Sequence, residues 1–161
     1  MQAEPIGLLA AAVRRAIQRT VASHVEPLGL STMQFWILVG IAENPGRCQA
    51  ELSARARVDE PSLSRVLRGL GARGFVRAAR TGGDRRRVHV ELTPDGEALA
   101  RRLLPIARTV RRDVDSALTA AERDALRASL TKILRHLDGH AARPHRAAAP
   151  ASSRPARKGM P

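Results

Sequence analysis

The sequence predicts a mainly α-helical chain carrying one small β-hairpin. Three observations lead there. Apolar residues recur every three or four positions over most of the chain, and only around residues 75–93 does the period fall to two. The composition also suits helices, with 43% hydrophobic residues, largely Ala and Leu, against 2% aromatic. Phe35, Trp36 and Phe75 are the aromatic residues, and there is no tyrosine.

Each element has its own local cause. From Pro5 to about Val25, Ile6, Leu9, Val13, Ile17, Val21 and Val25 form one apolar stripe with Arg14, Arg15 and Arg19 between them, the pattern of an amphipathic helix. Ser31-Thr32-Met33-Gln34 has capping-box spacing, so a second helix starts there, carries Phe35, Leu38, Val39 and Ile41, and stops at Asn44-Pro45-Gly46. A short third helix is expected over about Gln49 to Ala56, with Leu52 as its anchor. A fourth opens at Asp59 or Glu60, tolerates Pro61 in its first turn, buries Leu63, Val66, Leu67 and Leu70, and stops near Gly74.

Val88, Val90 and Leu92 then alternate with His89 and Glu91, Phe75-Val76-Arg77 begins the matching strand, and Thr81-Gly82-Gly83-Asp84 supplies turn chemistry. Thr93-Pro94 caps a fifth helix whose stripe runs through Leu99, Leu103, Ile106, Val110, Val114 and Leu118. Thr119-Ala120-Ala121-Glu122 is a second capping box, opening a sixth helix with Leu126, Leu130, Ile133, Leu134 and Leu137 on one face and an expected end at Gly139. Residues 139–161, rich in Ala, Pro, Ser and Arg, are expected to form a disordered basic tail.

Charge narrows the function. The 161 residues hold 28 Lys and Arg against 15 Asp and Glu, a formal charge of +13. The excess is concentrated: residues 75–92 carry +3 and residues 139–161 carry +5. Arginines that neutralise phosphates release condensed counterions, which makes nucleic acid the first partner to expect. The sequence holds no Gly-rich phosphate loop, nucleophile elbow or zinc-protease motif, and its five histidines are scattered, so neither catalysis nor a cofactor is expected. It shows neither a secretory-signal pattern nor an apolar run of membrane-spanning length, and its one cysteine, Cys48, has no internal disulfide partner. A cytoplasmic location without membrane contact is the expectation.

Three short helices followed by a hairpin is the element order of a winged helix-turn-helix, in which the second helix of the turn enters the major groove and the hairpin lies against flanking DNA. Here the groove-entering helix is Glu60 to Arg73, whose outward face carries Ser62, Ser64, Arg65 and Arg68. The hairpin tip brings Arg80, Asp84, Arg85, Arg86 and Arg87. Short hydroxyls permit close approach, and arginine pairs with guanine O6 and N7.

In these residues the chain resembles the MarR (multiple antibiotic resistance regulator) family of bacterial transcriptional regulators. The residues carrying the resemblance are Ser62-Leu63-Ser64-Arg65-Val66-Leu67, then Leu70-Gly71-Ala72-Arg73-Gly74-Phe75-Val76. They are followed by Gly83-Asp84-Arg85-Arg86-Arg87-Val88-His89-Val90-Glu91-Leu92-Thr93-Pro94-Asp95-Gly96. The resemblance implies that Arg86 enters the minor groove braced by Asp84, and that Ser62, Ser64, Arg65 and Arg68 contact bases and phosphates. Where many members have an arginine just before the wing strand diverges this chain has Ala78, so either Arg77 or Arg80 replaces that phosphate contact or the contact is absent.

It also implies a homodimer on a pseudo-palindromic double-stranded operator, with repression as the expected outcome. The implied organisation is an N-terminal dimerisation helix (1–30), a DNA-binding lobe (31–93), C-terminal dimerisation helices (94–138) and the tail. The long apolar stripes of the first, fifth and sixth helices point the same way, since a small DNA-binding core cannot cover them. A small aromatic or anionic effector between the dimerisation helices and the lobe is a further implication, with Arg14, His24, Trp36 and Arg108 as candidate ligands of it. An alternative is a metal- or redox-responsive regulator using His136, His140 and His145 or Cys48.

Overall fold

The computed structural model describes residues 3–80 and 88–141. The elements are α1 (Ile6–Val25), a 3₁₀ turn (Glu26–Leu28), α2 (Thr32–Glu43), α3 (Gln49–Ala56), α4 (Glu60–Ala72), β1 (Val76–Arg80), β2 (Val88–Leu92), α5 (Pro94–Ser116) and α6 (Ala120–Ala141). The described elements fall into two units, α1 to α5 in the first and α6 in the second. Among the described residues no single helix is long and apolar enough to cross a membrane.

The first unit is built around α2. Phe35, Ile37, Leu38, Val39 and Ile41 are buried, so nearly the whole circumference of this helix is apolar and enclosed, as a central helix must be. It packs against α1, α3, α4, α5 and β2. Its start is set by the expected capping box: the Gln34 amide donates to Ser31 Oγ at 3.2 Å and the Ser31 amide to Gln34 Oε1 at 2.9 Å. Val21 and Val25 of α1, Leu52 of α3, Leu63 and Leu70 of α4, Val76 and Val90 of the hairpin, and Leu99, Leu103, Ala107 and Val110 of α5 join it in the core, with Leu30 from the turn after α1. Each fully buried valine or leucine contributes about 1.5–3 kcal/mol relative to exposure.

β1 and β2 pair antiparallel with Val76 opposite Leu92 and Arg80 opposite Val88. An isolated bridge between Cys48 and His89, and a hydrogen bond from the Val90 amide to the Arg47 carbonyl at 3.2 Å, tie the α2–α3 connection to the edge of β2, which the sequence pattern does not reveal. α5 opens with Thr93, whose Oγ1 accepts from the Gly96 amide at 3.1 Å. It ends at Ser116, leaving Leu118 outside the helix.

In the second unit, Thr119 Oγ1 accepts from the Glu122 amide at 3.3 Å while Glu122 Oε2 accepts from the Thr119 amide at 2.8 Å, the reciprocal cap expected for α6. One expectation fails: Gly139 does not end this helix, which continues to Ala141. Glycine stops a helix by adopting a positive φ, and among the described residues Gly29, Gly46, Gly74 and Arg57 do so, whereas Gly139 does not.

Large apolar side chains stay exposed on both units. On α1, Ile6 is 66% and Leu9 is 51% accessible, with Leu8 and Val13 beside them. On α6, Leu126, Leu130, Ile133 and Leu137 are also exposed.

Candidate nucleic-acid interface

The presentation of α4 begins in the turn before it. Ser53, buried in the middle of α3, donates its hydroxyl to the Val58 carbonyl, and Val58 returns its amide to the Ser53 carbonyl at 3.2 Å. Between them Arg57 adopts the left-handed conformation, φ 51, where a residue with a Cβ is disfavoured. Asp59 then caps α4, its Oδ1 accepting from the Ser62 amide at 2.7 Å. That hydrogen bond holds the Asp59 carboxyl below its ordinary range. The turn and the cap together fix where the first turn of α4 points.

Leu63 and Leu70 are buried and Val66 and Leu67 pack on the same core, which leaves Arg65 and Arg68 on the exposed face. Ser62 and Ser64 are half-buried and flank that face on its two sides. Arg65 lies back along the helix, its Nε 3.4 Å from the Pro61 carbonyl and one Nη 3.4 Å from Ser62 Oγ. Such long contacts are weak and leave its donors available to an acceptor in front of the helix.

The hairpin is held at its root. Arg77 and Glu91 are cross-strand partners whose charged ends lie 3.2 Å apart, and His89 Nδ1 donates to the Gly46 carbonyl at 2.7 Å. Arg77 is thereby engaged within the wing. Arg80 closes β1; Asp84, Arg85, Arg86 and Arg87 lie outside the described residues.

Behind the helix-turn-helix lies a cavity of about 640 Å³, bounded by α1, α2, the end of α3 and α5. Two of the four effector candidates line it, Arg14 and the half-buried Trp36. The other two do not: His24 is exposed and bonds the Thr20 carbonyl of its own helix at 2.7 Å, and Arg108 is exposed one turn away from the lining residue Arg111. Periodicity places Arg108, Arg111 and Arg112 on one helix without saying which of them faces inward.

Arg111 is the lining residue that the sequence does not single out, along with Glu43, Arg55 and Arg57. Its guanidinium is bidentate on the Glu43 carboxylate, with one contact at 3.0 Å, and lies 5.7 Å from the centre of the Trp36 ring. The hydrogen bond from Arg111 holds the Glu43 carboxyl below its ordinary range, and the same bond raises Arg111. The cavity wall thus combines an indole face, apolar side chains such as Val13, Ile17, Met33 and Leu52, and four arginines against one carboxylate.

Cys48 is 7% exposed, and its amide is taken by Glu51 Oε2 at 3.0 Å. Among the described residues no three His, Cys, Asp or Glu side chains gather where a metal ion could be held. His136 lies on α6, the side chain of His140 is not described, and His145 is outside the described residues.

Known proteins are similar to this chain in sequence and fold. A MarR family model matches residues 28–87, the stretch from the turn after α1 into the wing. The HTH-type transcriptional repressor NicR of Pseudomonas putida is 33% identical over 125 residues, covering 76% of this chain and 79% of that protein. Among solved structures, a mutant MarR from Escherichia coli complexed with operator DNA aligns with a TM-score of 0.68 at 28% identity, over 81% of this chain and 94% of that one. BpsR of Bordetella bronchiseptica, whose DNA binding is regulated by 6-hydroxynicotinic acid, aligns with a TM-score of 0.68 at 25% identity, over 81% of this chain and 93% of that one. With its winged helix, its serine- and arginine-bearing α4 and these relatives, the chain belongs to the MarR family of DNA-binding transcriptional repressors.

Proposed function

We propose that two copies of this chain join through the exposed apolar faces of α1 and α6 and read a pseudo-palindromic duplex with their two α4 helices. In a two-fold dimer the helices sit about one DNA turn apart, roughly 34–36 Å, which fixes the half-site spacing. Ser62, Ser64, Arg65 and Arg68 make the major-groove and adjoining phosphate contacts. Arg80 and Arg85–Arg87 neutralise flanking phosphates, with Arg86 in the minor groove and Asp84 bracing it. The observation that carries the proposal is the exposed Arg65 and Arg68 face of α4, capped and buried on its other side, beside the rooted base of a basic hairpin. Under this organisation residues 1–30 and 94–138 dimerise, residues 31–93 bind DNA, and the basic C-terminal segment adds sequence-independent attraction.

The effector is an aromatic carboxylate held in the cavity behind the helix-turn-helix. Trp36 offers a stacking face, and Arg14, Arg55, Arg57 and Arg111 offer charge. The similarity to BpsR, regulated by 6-hydroxynicotinic acid, supports the same chemical class. Because the cavity is bounded by α1 and α5 on one side and by α3 on the other, a ligand there acts through its differential affinity for the DNA-competent and incompetent lobe positions. A hundredfold release requires about 2.8 kcal/mol of such difference.

Selection of bound fragments from a random duplex pool, with sedimentation of the protein at micromolar concentration, tests the proposal. A two-fold-related sequence bound by a dimer is the expected result. A stable folded monomer, or fragments without half-site symmetry, would overturn it.

A further inference from the structure

We propose that Arg73 is a positioning residue for sequence reading, a strut that fixes the far end of α4 to the loop leaving α1. The proposal presupposes that α4 is the recognition helix. Arg73 follows the last turn of α4, and its guanidinium reaches across 44 residues of sequence to donate one hydrogen bond to the Gly29 carbonyl at 2.7 Å. A second goes to the Leu28 carbonyl at 3.2 Å. The same group stacks on Phe75, 4.9 Å from the ring centre.

The acceptors are suited to it. Leu28 ends the 3₁₀ turn that follows α1, and Gly29, at φ 63, turns the chain out of it. Carbonyls at a helix end lack partners within the helix and carry the negative end of its dipole. A planar guanidinium with parallel donors satisfies two of them at once, which the single ammonium of lysine cannot do in the same geometry while also stacking on a ring.

The need for such a strut follows from the rest of the α4 contacts. Leu63, Val66, Leu67 and Leu70 set how deeply the helix is buried, but apolar contact is non-directional, and the bonds from Thr93 to the Gly74 and Phe75 carbonyls tie the chain beyond the helix to the start of α5 rather than to α1. Asp59 and the Ser53–Val58 pair fix the first turn only. Arg73 supplies directional bonds at the other end, eleven residues and about 16 Å along the axis from Ser62. It thereby ties the angle of the reading face to α1, the helix that carries the exposed apolar stripe.

The test compares full-length wild-type protein with R73A and R73K on the selected operator and on a scrambled duplex of equal length, at several salt concentrations. Both variants should lose about tenfold or more in operator affinity, the effect expected when charge-assisted bonds that hold a geometry are removed. Binding to the scrambled duplex should stay within about threefold, and the salt slope should not change, because the group faces carbonyls rather than phosphates. Thermal melting should stay close to that of the wild type, since Arg73 is exposed and its acceptors are open to water. Full operator affinity in R73K would overturn the proposal by showing that charge alone matters. Loss of operator and scrambled binding together, in step with a loss of folded protein, would overturn it as a plain stability effect. A wild-type protein that binds both duplexes equally would instead remove the recognition helix itself, before any variant is considered.

Discussion

Replacing Gly96 with alanine should destabilise the protein although the position is helical and alanine is the better helix former. A Cβ built on Gly96 would lie 1.9 Å from the Phe75 carbonyl oxygen and 2.9 Å from its carbonyl carbon. Both are backbone atoms, so no rotamer change relieves the overlap, and an ordinary contact requires the first turn of α5 to withdraw by roughly 1.5 Å. Withdrawal breaks the bond from the Thr93 amide to the Phe75 carbonyl, 3.0 Å, and that from Thr93 Oγ1 to the Gly74 carbonyl. Each is worth about 1 kcal/mol, overpacking adds about 1–3, and the helix propensity of alanine offsets about 1. The net loss is about 2–4 kcal/mol, or roughly 5–15 °C in melting temperature for a chain of this size.

Urea unfolding followed by far-UV circular dichroism measures the change, at one fixed protein concentration because self-association adds to apparent stability. Gly139→Ala serves as the comparison, since a Cβ there meets nothing within 4 Å and the helix gains up to about 1 kcal/mol. A G96A protein as stable as the wild type would refute this reasoning. It would show that the Phe75 carbonyl yields freely and that the close approach of α5 to it carries no cost.

Other outcomes follow from the interface and the cavity. R65A should lose about 1–3 kcal/mol of operator affinity and relax discrimination at one base position, whereas R86A should weaken binding to all A·T-rich flanks, both measurable by fluorescence anisotropy. E43Q keeps the size of the side chain but frees Arg111, so 6-hydroxynicotinic acid used as a calorimetric probe should bind several-fold more tightly than to the wild type. Weaker binding in E43Q would show that no anion competes with Glu43. The carboxyls of Asp59, Glu51 and Glu122 are each held below the ordinary range mainly by a backbone amide at a helix start. Their stabilising contribution is therefore complete above the unfolded carboxylate pKa and is lost as pH falls through the lower folded values. The part of the unfolding midpoint owed to these caps should be flat above about pH 5 and decline only in the acid range below about 4, as a comparison of the wild type with D59N across pH would read.

Much of the reading face is legible because its causes are local. Leu63, Val66, Leu67 and Leu70 alternate with Arg65 and Arg68 at helical spacing, and Asp59 precedes them as a cap, so one turn of helix suffices to say which side faces out. The sequence places Ser62 and Ser64 on the same outward face, but they are half-buried at its margins, because 3.6 residues per turn cannot put four residues spanning seven positions on one line. The cavity is half legible. Trp36 and Arg14 stand out as an isolated aromatic and a basic residue in an apolar stripe, while Arg111, Arg55 and Arg57 resemble any solvated arginine until the chain brings them to one wall.

The residue order by itself determined the helices, their caps and the hairpin, since capping boxes, proline placement and apolar period act over four to seven neighbours. It also carried the motifs of a DNA-binding wing. Tertiary structure alone decided the contacts made at long separation: Arg111 with Glu43, Arg73 with Leu28 and Gly29, His89 with Gly46, and the Phe75 carbonyl against Gly96. It also decided that Gly139 remains helical, where an intrinsic penalty of about 1 kcal/mol is too small to end a helix without a left-handed turn. The physical reason is common to all of them. A cap or a stripe is satisfied by atoms a few bonds away, whereas an arginine or a glycine takes its meaning from whichever distant backbone the folded core delivers to it.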